Sequence, residues 1–109
     1  MLIDFNTIPS ALIHQMNGGN GDILARMYCD DKYRIIPTRI MPGSSIGLHQ
    51  QTSGDDINYI ISGVGKAVCD GHEEHLTAGC CHICPKNSEH TIMNIGEDEL
   101  IMLTIVVMK

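Results

Sequence analysis

The chain has 109 residues, with seven Lys and Arg against thirteen Asp and Glu, a formal charge of -6. That balance argues against a nucleic-acid surface or an anionic membrane as partner, because both reward clustered positive charge. Trp is absent and aromatic residues make up 4%, so platforms for stacking single-stranded bases are scarce too. With 43% hydrophobic and 18% charged residues, the composition is that of one globular domain spanning residues 1–109.

The N-terminal Met1-Leu2-Ile3-Asp4 carries an acid where an export signal would carry positive charge. No stretch approaches the roughly 20 apolar residues that span a bilayer. A cytoplasmic setting follows as the expectation. Five cysteines, an odd number, then read as free thiols rather than a disulfide framework.

Along the chain, Ser10–Gln15 is the only segment that suggests a helix, and Asn17-Gly18-Gly19-Asn20-Gly21 reads as a loop. After it come β-rich runs at Ile23–Cys29, Tyr33–Met41, Ile57–Ser62, Val64–Cys69, Cys80–Cys84, His90–Ile95 and Leu100–Met108. Sixteen Ile and four Val outnumber eleven Ala and Leu, and branching at Cβ suits a pleated surface better than a helix. Turn signals separate the runs: Pro42-Gly43-Ser44-Ser45, Ser62-Gly63, Gly79, Pro85-Lys86-Asn87 and Gly96-Glu97-Asp98. Asp70-Gly71 predicts a two-residue hairpin turn between Ala67-Val68-Cys69 and Glu74-His75-Leu76. The pattern predicts an all-β antiparallel sandwich or barrel.

Two spaced motifs carry the chemistry. In the first, Gly43 to Gly63, His49 and Gln51 stand two apart and share one face of a strand. A turn at Ser53-Gly54 can bring Asp55 or Asp56 back to them; the two aspartates point to opposite faces, and the uncertain register of the Thr52-Ser53-Gly54 turn leaves the choice open. In the second, Gly79 to Asn94, a strand breaks at Pro85 and re-enters the sheet at His90. Imidazoles and a carboxylate on converging strands are donors suited to a transition metal.

These motifs resemble those of the cupin superfamily, specifically its small single-domain bacterial members. The family's first motif, G-x5-H-x-H-x(3,4)-E-x6-G, is met by Gly43, His49 and Gly63, with Gln51 at the second His and Asp56 at the Glu. Its second, G-x5-P-x-G-x2-H-x3-N, is met by Gly79, Pro85, His90 and Asn94, with Asn87 at the central Gly. Asn is the mildest substitute there, because it tolerates positive φ. The resemblance implies an antiparallel double-stranded β-helix, the cupin jelly-roll barrel. It also implies one divalent transition metal (Fe, Mn, Ni or Zn) held by His49, Gln51, Asp56 and His90. His49, His90 and one carboxylate have the composition of a facial triad with open positions for substrate. Gln51 and Asp56 depart from the family's ligands, one neutral and one shorter by a methylene. The family's habits further imply a homodimer, for which Leu2-Ile3 and Leu100–Met108 offer apolar surface.

Other groups rank lower. Alternate strand residues lie roughly 6.6 Å apart, so Cys80 and Cys84 would be about 13 Å apart, too far for one ion. Small buried side chains are the expectation for that segment. His82 shares their face and is a candidate general base, or a donor to a metal ligand. His72-Glu73-Glu74-His75 reads as a solvated edge. Two functions follow: a metal-dependent protein acting on a small polar metabolite by oxygenase, isomerase or decarboxylase chemistry, or a metal-free ligand-binding or sensor module. The catalytic residues and the substrate are not legible.

Overall fold

The computed structural model describes residues 1–109. Eleven strands form two antiparallel sheets, with helix limited to two 3-10 turns, Phe5–Thr7 and Met16–Gly18. The strands are β1 (Ala11–His14), β2 (Asp22–Ala25), β3 (Tyr28–Cys29), β4 (Tyr33–Ile40), β5 (Ser45–Gln50), β6 (Gly54–Ser62), β7 (Gly65–Cys69), β8 (His72–Leu76), β9 (Cys81–Cys84), β10 (Glu89–Asn94) and β11 (Leu100–Met108). The larger sheet runs β1-β2-β4-β11-β6-β9, with β3 also paired to β4; the smaller runs β5-β10-β7-β8. This is the expected all-β jelly roll.

One expectation is corrected. Ser10–Gln15 holds strand β1, not a helix, paired in register through Leu12↔Leu24 and Ile13↔Ile23. A single turn's length of residues cannot repay helix nucleation, whereas the glycine loop returns the chain onto β2, where pairing satisfies its backbone. The expected Ile23–Cys29 run is likewise divided, at Arg26-Met27, into β2 and β3.

Elsewhere the turn chemistry holds. Asp70 and Gly71 adopt φ of 48° and 83°, the paired positive values of a type I′ hairpin turn between β7 and β8. Asn87 takes φ of 75°, so it does adopt the conformation for which glycine is usually chosen. The longest apolar run, β11, lies between β4 and β6, where a strand can bury residues on both faces.

Alternation sorts the interior into two halves. Ile23, Ile40, Ile60, Ile92, Leu100 and Met102, each less than 2% exposed, fill one end of the barrel. Along β6 the inward series Ile60, Asn58, Asp56 passes from that core into a polar half. His82, His90 and Gln51 are buried there as well. Asn94, the last residue of the second motif, is a structural tie: its Nδ2 donates to the Ile40 and Asp98 carbonyls and its Oδ1 accepts from Gly96 N.

Candidate metal centre

Three side chains converge in the polar half. The ligand atoms of His49, Asp56 and His90 all lie within 4.8 Å of one another. Their strands put them there: β10 pairs His90 directly with His49 across β5, while β6 brings Asp56 from the opposite sheet.

A bulge aims the first imidazole. Between His90↔His49 and Ile92↔Ile46, β10 has Thr91 alone where β5 has Gly47 and Leu48. An extra residue turns backbone groups out of the ladder and re-aims the neighbouring side chain. Here Thr91 Oγ1 donates to Ile46 O at 2.6 Å, and Gly47 O receives His49 Nδ1 at 2.8 Å. A carbonyl only accepts, so Nδ1 carries the hydrogen and Nε2 keeps its lone pair. The Asn17 amide nitrogen, 3.4 Å from the same Nδ1, is too far to reverse that assignment.

The structure also resolves which aspartate faces inward. Asp56 is 7% exposed, whereas Asp55 points outward to Lys109 Nζ at 2.7 Å and Lys86 N at 2.9 Å. Those two partners hold the Asp55 carboxyl below the usual range, the Lys109 hydrogen bond foremost. Asp56 Oδ2 stands 3.2 Å from His90 Nε2. The angle makes no hydrogen bond, and both His90 Nε2 and Asp56 Oδ1 are buried with no partner. Buried polar atoms without partners are costly, and with Nε2 unprotonated a cation shared by the imidazole and the carboxylate would satisfy both. Donors sharing an ion with bonds of about 2.1 Å at right angles stand about 3 Å apart, so this pair fits a metal.

Gln51 is buried at the same cavity, its Nε2 3.4 Å from Ser53 Oγ. The cavity has a volume of about 290 Å³, and Met16 and Asn17 are among the residues that line it. A Cβ on Gly47 would collide with Asn17 O, so glycine there lets the Met16–Gly18 turn lie against β5. Arg34 is the only Arg or Lys lining the cavity, and its nearest polar contact is Ser53 Oγ at 3.4 Å.

The lower-ranked groups separate clearly. Cys81 faces outward and is exposed, Cys84 is fully buried, and Cys80 packs beside the core, so the thiols do not cluster. His72 and His75 lie on the exposed strand β8. His82, by contrast, is 1% exposed, with Nε2 2.9 Å from His90 Nδ1 and Nδ1 2.6 Å from Glu74 Oε1. Glu74 and Arg34 were missed from sequence. Glu74 could have been found, since it stands two residues before the buried Leu76 and so shares its face.

An antiparallel double-stranded β-barrel with two imidazoles and a carboxylate turned into its polar half defines the class. The chain belongs to the cupin family, whose cupin-domain model matches residues 38–106. It is 27% identical over 114 residues to an oxalate-binding protein of Thermotoga maritima, covering 99% of this chain and 94% of that protein. The fold matches a predicted oxalate decarboxylase of Thermotoga maritima with a TM-score of 0.92, 26% identity and 100% of both chains covered. A cupin of the RmlC-like kind from Shewanella frigidimarina matches at a TM-score of 0.81 over 99% of this chain and 90% of its own, at 14% identity, a likeness of fold alone.

Proposed function

We propose that the protein holds one divalent transition-metal ion, of the Fe, Mn, Ni or Zn kind, between His49, His90 and Asp56. Through it the protein takes a small carboxylate of the oxalate class. The observation that carries this reading is that His90 Nε2 and Asp56 Oδ1 are both buried without a hydrogen-bond partner, with Asp56 Oδ2 only 3.2 Å from the same Nε2. When bound, such an ion supplies a Lewis acid with positions open to an anionic ligand.

The chain's own residues do the rest. His49 and His90 present bare Nε2 atoms, and Asp56 offsets part of the ion's charge. Gln51 serves as weak fourth ligand or as an amide that orients the carboxylate. Arg34, with no acidic partner, is free to pair with a carboxylate through two parallel N–H donors. A cavity of about 290 Å³ sits at the small end of ligand pockets. The name of the Thermotoga maritima relative, an oxalate-binding protein, supports the same ligand class.

Binding is favoured over turnover by the inventory of the cavity. Its lining holds no acid or imidazole beyond Asp56, His49 and His90. With all three on the ion, no general acid or base is left over. Decarboxylation is the second reading, supported by the predicted activity of the fold relative. A cytoplasmic setting accompanies both, supported by five cysteines that are all free thiols; no helix is long and apolar enough to cross a membrane.

Calorimetric titration of oxalate into metal-free and Mn-loaded protein, freed of unbound ion, tests the proposal. Oxalate is expected to bind the loaded form at least tenfold more tightly. Arg34→Ala should weaken that binding by roughly ten- to a hundredfold, the weight of charged hydrogen bonds, while metal content holds. Equal binding with and without metal would replace this reading with the metal-free module. Release of formate and CO2 would establish the decarboxylase.

A further inference from the structure

Glu74 occupies an unusual position for an acid on an edge strand. It pairs in register with Ala67, which is fully buried, and it precedes the buried Leu76 by two residues, so its side chain starts on the inner face of β8. Strands β8 and β9 are each an edge strand of their sheet, and the Glu74–His82 contact spans the seam between them. From there a chain of short contacts runs inward: Glu74 Oε1 to His82 Nδ1 at 2.6 Å, His82 Nε2 to His90 Nδ1 at 2.9 Å. Both imidazoles are 1% exposed, while the Glu74 side chain keeps 43% of its surface in solvent.

We propose that Glu74 and His82 are positioning residues for the metal: the surface carboxylate fixes the direction of two successive hydrogen bonds and so the tautomer in which His90 meets the ion. This rests on His90 being a ligand, as proposed above, but the tautomer exists without the metal. A carboxylate accepts and does not donate, so His82 Nδ1 carries the hydrogen. Neutral His82 then has its lone pair on Nε2, which accepts from His90 Nδ1–H. His90 is left with a bare Nε2 turned toward Asp56 and His49, the form that can bind a cation. The opposite direction would place a hydrogen on His90 Nε2 and close the site. His49 reaches the same state by a different device, the bulge carbonyl of Gly47. Ligand imidazoles held through their other nitrogen in this way lose metal affinity when the holding group is removed.

The test uses metal-free full-length protein and long-range nitrogen–proton NMR of the imidazoles, at about pH 8.5, some two units above the ordinary imidazole value. Wild type is expected to show His90 protonated at Nδ1. Glu74→Lys, whose ammonium only donates, should move that hydrogen to Nε2. Affinity for Zn or Mn, measured by chelator competition, should fall about 10- to 100-fold in Glu74→Ala and further in Glu74→Lys. Glu74→Gln, which keeps an acceptor oxygen, should recover most of the loss. Circular dichroism confirms that each variant is folded. Wild-type His90 protonated at Nε2, or a tautomer and affinity indifferent to Glu74→Lys, would overturn the proposal. A tautomer that responds in a protein that binds no metal would uphold the hydrogen-bond wiring and overturn the metal reading it serves.

Discussion

At the scale of single residues, the polar half of the barrel is governed by what each buried group is allowed to accept or donate. A carbonyl stands at His49 Nδ1 and a second imidazole at His90 Nδ1, so each ring is held through the nitrogen that faces away from Asp56. Cys84 shows the opposite limit. It stands in register beside Asp56 yet has no exposure, and burial, helped by Cys69 nearby, pushes its thiol from the ordinary 9.0 up to about 12. Cys84 is therefore an inert thiol and no candidate nucleophile. The sign of the linkage is fixed: above pH 9 the unfolded chain loses this proton while the folded chain keeps it, so stability falls as pH rises from about 9 to about 12. Urea denaturation across that window should show a decline that is shallower in Cys84→Ala. An unchanged slope would mean that the thiol is less confined than its burial indicates.

At the scale of elements, the bulge in β5 joins fold to site. It frees the Gly47 carbonyl for His49, and the bare backbone of Gly47 admits the turn that carries Met16 and Asn17 to the cavity wall. Gly47→Ala forces a Cβ onto Asn17 O, a backbone atom with little room to yield. The expected cost is about 2 kcal/mol by denaturation, together with weaker metal binding; a silent substitution would contradict the account of the turn. This element also marks where sequence reading stops. The placement of His49, His90 and Asn87 was legible because turn chemistry and short-range spacing fix it. Strand alternation stated only that Asp55 and Asp56 face apart, and the pairing of β6 with β11 and β9 decided between them. The bulge itself leaves no period in the sequence. Arg34 and Glu74 lie on strands outside both motifs, and the four-residue β1 is a strand only because β2 is beside it.

At the scale of the whole molecule, the larger sheet carries a band of apolar side chains on its outer face. Across neighbouring strands, Pro37, Leu103 and Tyr59 lie in register, as do Ile35, Ile105, Ile57 and Ile83. Tyr59, Ile61 and Ile83 are about half exposed. A broad apolar sheet face of this kind calls for a cover, and a second copy related by a two-fold axis would present a matching one. We infer a homodimer through this face rather than through the exposed Leu2. Sedimentation should give twice the chain mass for the wild type, and monomer for a Tyr59→Arg, Ile83→Glu variant. A wild-type monomer would remove the inference and leave the site untouched, since the cavity lies on the other side of the sheet.

The central claim is the metal, and its most direct measurement is metal content by mass spectrometry of untagged protein beside a His49→Ala, His90→Ala variant. One Fe, Mn, Ni or Zn per chain in the wild type, lost from the variant, is the predicted result. A wild type that is empty as purified, and stays empty after incubation with each of those ions, would contradict it.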